Sequence, residues 1–374
     1  MENRAKEGFN LKPKKIYFYI GNLGKGGAER VITQLAHQFQ EAGYSVKVIT
    51  TFKAEEEYSL SPHVERITLE NKQDRGNRFK RNLKLIWKLR KILKEDPPHL
   101  LISFMQEPNF RAILATRGLS IPVLVSVRNA PEKEYSGFVG QLVAHKLLPL
   151  ADGCVFQTEQ AKAYFPQKLQ QKSTIIYNAV AENFFTTSHH PKPGIVAIGR
   201  LSEQKNHALL IRAFSKIAHD FKDQDLLIYG EGLLKEKLQQ LITELDLEDR
   251  VHLMGTTQEI PKVLSEAEVF VLSSDYEGMP NALLEALAVG VPSISTNCPC
   301  GGPEMVIEHG KNGLLVPVGD EVALSTAMKT LLADASLRQQ MGQNAKKGSE
   351  EFHPKQVFQE WEYYAHQVLD GDFT

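Results

Sequence analysis

The chain has 374 residues, 42% of them hydrophobic and 24% charged, with a formal net charge of −1. Those proportions are those of a soluble globular protein, and the length exceeds one ordinary core, so two domains are expected. No apolar run approaches the roughly 20 residues that span a bilayer, and the start MENRAKEGFNLKPKK has charge but no apolar stretch, unlike a secretory signal.

Three cysteines make no disulfide framework and fit a cytoplasmic protein. Cys298 and Cys300 form a Cys-Pro-Cys without a second ligand pair, which reads as structural rather than as a zinc site. The near-neutral total hides an asymmetry. Residues 1–180 carry 28 Lys and Arg against 17 Asp and Glu, a net of +11, and the remainder carries a net of −12. A basic half joined to an acidic half points to an anionic partner for the first half.

In chain order, the β-rich runs KIYFYI, SVKVIT, HLLISF, PVLVSV, GCVFQT and STIIYN come first. IVAIG, DLLIYG, VHLMG, EVFVLSS, PSIST and NGLLVP follow. Amphipathic stretches such as Ala28 to Ala42, Asn206 to Asp220 and Leu233 to Leu245 separate them. This alternation predicts an α/β protein with parallel sheets covered on both faces. The polar stretch TTSHHPKPG, Thr186 to Gly194, reads as a linker. The division is then a domain over 1–187, a second over 188–350, and a C-terminal helix within 351–374 that packs back toward the first. Two doubly wound Rossmann-like domains face each other across a cleft, and ligands of such sheets sit at the C-terminal ends of strands.

Three segments directly after strands carry chemistry. GNLGKGGAER, Gly21 to Arg30, places Gly26 and Gly27 where a helix begins. Free amides there suit a phosphate, although the spacing is neither a P-loop nor GxGxxG. GRLSEQKN, Gly199 to Asn206, puts Arg200 at a strand end and Lys205 before the next helix, a cationic clamp for a diphosphate. SSDYEGMPNALLEALAVG, Ser273 to Gly290, holds Glu277 in a loop and Glu285 about one turn inside the following helix. Helical side chains lean toward the N-terminus, so both carboxylates can face one ligand. Strand-end cations and a helix-start glutamate are also ordinary solvated features. A lone charge inside the aliphatic ALLEALAVG is not. Together the three segments describe a ligand with a diphosphate in the middle and hydroxyl-rich ends, a nucleotide sugar.

With these motifs the chain resembles the retaining glycosyltransferases of family 4, the glycosyl transferases group 1, which have the GT-B fold. The resemblance runs over nearly the whole chain. It is most specific in the Glu-x7-Glu stretch EGMPNALLE, with GGAER and GRLSEQKN in matching order and separation. It implies that Arg200 and Lys205 bind the donor diphosphate and stabilise charge on the leaving nucleotide, so that with Glu277 they form the catalytic set. Glu285 would accept from ribose hydroxyls, and Glu277 would meet the transferred sugar beside the amides of Gly278, Met279 and Asn281. Amides around Gly26 and Gly27 would reach the diphosphate from the other domain. No cofactor and no metal is implied; the donor is a substrate, UDP-linked by the family's habit. Asp223-Gln-Asp225 and Asp370-Gly-Asp372 imitate a metal-binding Asp-x-Asp, but the first precedes a strand and the second lies in the terminal tail.

One stretch departs from the family. Many relatives carry a histidine after the fifth N-terminal strand, where VSVRNAPEKEY has Arg128 and Asn129. Arg128, Asn129, Glu107 and Asn109 are the candidate acceptor-side contacts, with a phosphate or an acceptor carboxylate as the partner open to Arg128, and CPCGGPE, Cys298 to Glu304, is a candidate approach to the donor sugar.

The segment Asn77 to Glu95 is dense in lysine and arginine, with Leu83, Ile86, Leu89, Ile92 and Leu93 at helical spacing and Trp87 beside them. Such a helix either packs on its sheet with solvated cations or lies on an anionic membrane surface. Nucleic acid is a poorer partner, since interleaved aromatics and a recognised motif are missing. The expected activity is transfer of a hexose or N-acetylhexosamine to a lipid-linked saccharide in surface polysaccharide or glycan synthesis, at the inner face of the cell membrane. Open alternatives are a nucleotide-sugar epimerase or phosphorylase on the same fold and a non-catalytic nucleotide-sugar binder.

Overall fold

A computed structural model describes residues 14–24, 26–71 and 77–372. Lys25 and all but the last two residues of the charged N-terminal stretch lie outside them.

The first sheet has seven strands: β1 (Lys15–Ile20), β2 (Ser45–Thr50), β3 (Glu65–Thr68), β4 (Leu100–Phe104), β5 (Val123–Ser126), β6 (Gly153–Phe156) and β7 (Ser173–Ile175). Their order is β3-β2-β1-β4-β5-β6-β7, and every pairing is parallel. The second has six: β8 (Ile195–Ile198), β9 (Leu226–Tyr229), β10 (Val251–Gly255), β11 (Val269–Leu272), β12 (Ser293–Thr296) and β13 (Leu314–Val316), in the order β10-β9-β8-β11-β12-β13. These pairings are parallel too. Two doubly wound sheets is the architecture the alternation predicts. The central strands β4 and β11 are buried at every position, which is why they read as continuous apolar runs rather than alternating ones. Each sheet reverses its order once, between β1 and β4 and between β8 and β11. A crevice opens at such a reversal because the flanking connections leave in opposite directions.

Three expectations need correction. The edge strand β3, sequence ERIT with no fully buried residue, is too polar to read as a strand. The chain also leaves the first domain before the predicted linker. Val180 and Phe184 already bury in the core of the second domain, because apolar side chains follow the nearest core regardless of the Pro- and Gly-rich stretch beyond. That stretch is pinned to the second domain by the His190 amide on the Ser265 carbonyl (2.8 Å) and the Lys192 amide on the Glu266 carbonyl (2.9 Å). Finally, the basic helix Arg78–Glu95 packs through Leu85, Leu89 and Leu93. Leu83, placed in the apolar stripe above, is 52% exposed, and Phe79 and Trp87 beside it on the same four-residue spacing are 70% and 63% exposed.

The C-terminal helix Pro354–Asp370 returns to the first domain. Trp361, fully buried, stacks on Phe104 with ring centroids 5.5 Å apart. The Tyr364 hydroxyl donates to the Lys172 carbonyl (2.7 Å) and accepts from the Cys154 amide (3.1 Å).

Candidate active site

The C-terminal ends of β8 and β11 deliver the site. Arg200 follows β8, and Lys205 ends the short turn Glu203–Lys205. Glu277 sits in the loop after β11, and Glu285 lies in the helix Asn281–Val289, which opens at Pro280 and stops at Gly290 in the left-handed region, φ 91°. The two strand-end loops are stitched together. The Asp275 amide donates to the Gln204 carbonyl (2.9 Å), and the Ser273 hydroxyl to the Lys205 carbonyl (3.0 Å). The Asn206 amide group reaches the Asp275 carboxylate (2.7 Å). Asn206, itself left-handed at φ 43°, also caps the next helix through Leu209. Lys205 and Glu277 are thereby held in register, and they form a direct ion pair. The Ser274 hydroxyl donates to the same Glu277 oxygen at 2.7 Å.

A cleft cavity of about 800 Å³ lies between the domains, within the range of small-molecule sites. Among the expected site residues, Gly26, Gly27, Arg128, Asn129, Arg200, Lys205, Glu277, Gly278, Met279, Asn281 and Glu285 all line it. Glu107 and Asn109 lie off it. Glu107 ties Arg78 (2.9 Å) and Arg111 together. Asn109 is fully buried, its amide on the Ser126 carbonyl at 2.9 Å, so it fixes β5 rather than facing a ligand. In CPCGGPE, Glu304 accepts from Gln160 (2.8 Å) and lies off the cavity. The buried thiols of Cys298 and Cys300 are pushed up to about 12 and about 11 by burial. Among the described residues no cluster of His, Cys, Asp and Glu is placed to hold a metal; Asp225 pairs with Arg250 at 3.0 Å.

At the first domain's edge, the Gly26 amide is already bonded to the Gly24 carbonyl (2.7 Å). The Arg30 amide donates to the Gly26 carbonyl (3.1 Å) and closes the first turn of the helix Gly27–Glu41, with the Glu29 carboxylate folded over that turn beside Gly26.

Sequence reasoning missed the groups that join the domains. Arg30, three residues after Gly27, donates from Nη1 to the Glu285 carboxylate at 2.5 Å. Burial alone would drain its charge; Glu285 outweighs that and holds its pKa above the ordinary value. Asn178, after β7, donates to the Met279 carbonyl (3.2 Å) and the Asn281 side chain (2.7 Å). Its own oxygen accepts from Gln157 at 2.7 Å and from Arg128. The only sequence signal for either was position: Arg30 in the first turn of a helix entering the cleft, Asn178 just beyond a strand end. The loop fits tightly here. A Cβ on Gly302 would stand 1.7 Å from the Gly278 carbonyl oxygen, so that position requires glycine, and one on Gly278 would stand 3.0 Å from the Arg128 carbonyl, a tight contact.

Paired parallel sheets, with cations and two carboxylates gathered where the second sheet reverses, are the GT-B class of glycosyltransferase. The sequence models agree: Glycosyl transferases group 1 matches residues 181–348 and Glycosyltransferase Family 4 matches residues 25–184. The chain belongs to this family of glycosyltransferases. It is 26% identical over 353 residues to a GalNAc-α-(1→4)-GalNAc-α-(1→3)-diNAcBac-PP-undecaprenol α-1,4-N-acetyl-D-galactosaminyltransferase of Campylobacter jejuni, covering 93% of this chain and 97% of that one. An N-acetylgalactosamine-N,N'-diacetylbacillosaminyl-diphospho-undecaprenol 4-α-N-acetylgalactosaminyltransferase of the same organism is 29% identical over 360 residues, covering 91% and 96%. In fold it is similar to an Anabaena protein solved in complex with UDP and glucose, with a TM-score of 0.77, 19% identity, and coverage of 94% and 98%.

Proposed function

We propose that this glycosyltransferase moves a hexose or N-acetylhexosamine from a UDP-sugar to a lipid-linked saccharide, with retention of anomeric configuration and without a metal. The observation that carries the reading is that Glu277 and Glu285 open on one cavity with Arg200 and Lys205 beside them. In this reading Glu285 accepts from the ribose hydroxyls, Glu277 meets the sugar, and the cations take the diphosphate and stabilise its charge as the glycosidic bond breaks. Attack comes from the front face through an oxocarbenium-like state, with no covalent enzyme intermediate. The names of the two Campylobacter relatives support the lipid-linked acceptor, and the uridine complex of the Anabaena protein supports UDP.

The acceptor's lipid sets a location. No described helix is long and apolar enough to cross a membrane. Phe79, Leu83 and Trp87 form an exposed row on the basic helix, and Phe138, Val139 and Leu142, at 85%, 71% and 53% exposure, form a second ridge on the helix Gly137–Leu142. In this reading the first domain rests on the anionic inner face of the cell membrane as a peripheral protein, through charge and these side chains.

Calorimetric titration with UDP, GDP and ADP, with and without EDTA and beside Glu285→Ala, tests the donor site. Tight EDTA-insensitive binding of UDP, weakened in the variant, is expected. Binding that EDTA abolishes, or none, overturns it. Transfer activity lost in Glu277→Ala with nucleotide binding kept separates the enzyme from a mere binder. Failure to sediment with anionic vesicles at low salt overturns the membrane part.

A further inference from the structure

Two arginines are buried among the described residues, and one of them, Arg111, pairs with the Glu107 carboxylate. Arg128 is 9% exposed, lines the cleft cavity, and forms no ion pair among the described residues. Its guanidinium meets only neutral groups: the Asn178 side-chain oxygen, the Ser126 hydroxyl at 3.5 Å, and the Phe104 ring, whose centroid is 5.0 Å away. Burial lowers its pKa to about 9. A buried cation without a counter-charge costs the folded protein free energy. Such a violation of ordinary packing is characteristic of functional positions.

Its place says which charge is missing. Asn178 links the guanidinium to the Met279 carbonyl and to Asn281, and the Arg128 backbone abuts Gly278. The cation therefore stands against the loop assigned above to the donor's reacting end, and it comes from the opposite domain to Arg200 and Lys205.

We infer that Arg128 is a third cation of the donor site and binds the sugar-side phosphate of the nucleoside-diphosphate sugar. This rests on the donor reading given above, and of the two partners open to Arg128 it takes the phosphate, on the donor, over an acceptor carboxylate. A planar fork on an aromatic ring suits a phosphate bound through two oxygens. Because the cation belongs to the first domain, it engages only when the cleft is closed around the donor.

Arg128→Met and Arg128→Lys in the full chain, followed by thermal melting and calorimetry with inorganic pyrophosphate, UDP and UMP, test the assignment. Asn178 keeps Gln157 as a donor when Arg128 is removed, so Arg128→Met without ligand should melt at or above the wild-type temperature. It should lose the stabilisation by pyrophosphate and bind UDP roughly tenfold or more weakly, with UMP unchanged, while Arg128→Lys recovers part of the loss. A lower melting temperature without ligand would make the guanidinium structural and overturn the assignment. So would unchanged binding of pyrophosphate and UDP with a raised KM for acceptor alone, which would place the anion on the acceptor. A wild-type protein that answers neither pyrophosphate nor UDP overturns it as well. If the wild type answers pyrophosphate but not UDP, and Arg128→Met answers neither, Arg128 stands and the uridine reading alone falls.

Discussion

The Arg30–Glu285 pair crosses the cleft, and it sets up a double-mutant cycle. Its atoms are 2.5 Å apart, with side-chain exposures of 25% and 7%. At an effective dielectric constant near 20 the gross attraction at that distance is about 7 kcal/mol. Desolvation of both groups takes back most of it, whereas removing one partner of a buried pair typically costs about 3–5 kcal/mol because the other is stranded. Here the stranded group in Arg30→Met is Glu285. The cost is eased because Arg30 keeps a quarter of its surface in water and the domains can part to rehydrate the carboxylate. A loss of about 1–3 kcal/mol is therefore expected for Arg30→Met. Glu285→Gln in that background removes the stranded charge, so the double variant should be more stable than the summed single losses by about 1–3 kcal/mol. Urea unfolding followed by circular dichroism on the four proteins reads the cycle. Losses that add to within about 0.5 kcal/mol would refute the coupling and with it the pair's part in holding the cleft closed.

Other outcomes follow from single sites. Glu134 is pushed up to about 7 by burial, against the pull of the Gln106 amide. Between its ordinary value of 4.5 and about 7 the unfolded chain has released a proton that the folded chain keeps, so this group's contribution to stability falls as pH rises through that window. Glu134→Gln should therefore gain on the wild type between pH 5 and pH 7.5 in urea unfolding. Comparing the two cancels the opposite slope from His207, which burial lowers to about 4 and which loses stability as pH falls below its ordinary value. Gly302→Ala must displace the Gly278 carbonyl; transfer activity should fall at least about tenfold, with the melting temperature lowered as for an overpacked core site. Trp361→Ala should cost about 3–5 kcal/mol in urea unfolding, as a large buried aromatic removed from a packed site does.

That Arg200, Lys205, Glu277 and Glu285 would gather on one cavity was legible because each pair is local in the chain. Glu277 and Glu285 share one strand-loop-helix unit, and so do Arg200 and Lys205, so a pattern along the chain becomes a constellation in space without knowledge of the fold. Arg30 and Asn178 were not legible because their partners lie 255 and 103 residues away; nothing near either residue encodes the meeting. Gly26 shows a finer limit. A glycine at a helix start was read as an anion site, yet its amide closes a turn on Gly24, a choice made by backbone geometry that any small residue string leaves open. Leu83 failed for a related reason. Helical spacing alone admits two neighbouring rows, and the sheet beneath picked the row through Leu85, Leu89 and Leu93. Glu107 and Asn109 follow a strand end, as ligand-binding residues do, but an arginine on either side took one and burial took the other.

The C-terminal helix has a mechanical consequence. The chain passes between the domains twice, once near Val180 on the way out and once near Phe352 on the way back. The two passages touch, with the Val180 amide bonded to the Phe352 carbonyl at 2.9 Å. Two bodies joined by one tether can twist and slide in many directions. Joined by two tethers clasped at a common point, they lose the freedom to slide past each other there and keep rotation about the clasp. With sliding suppressed at the clasp, Arg30 meets Glu285 and Asn178 meets Asn281 in a register to which the chain's own double crossing contributes.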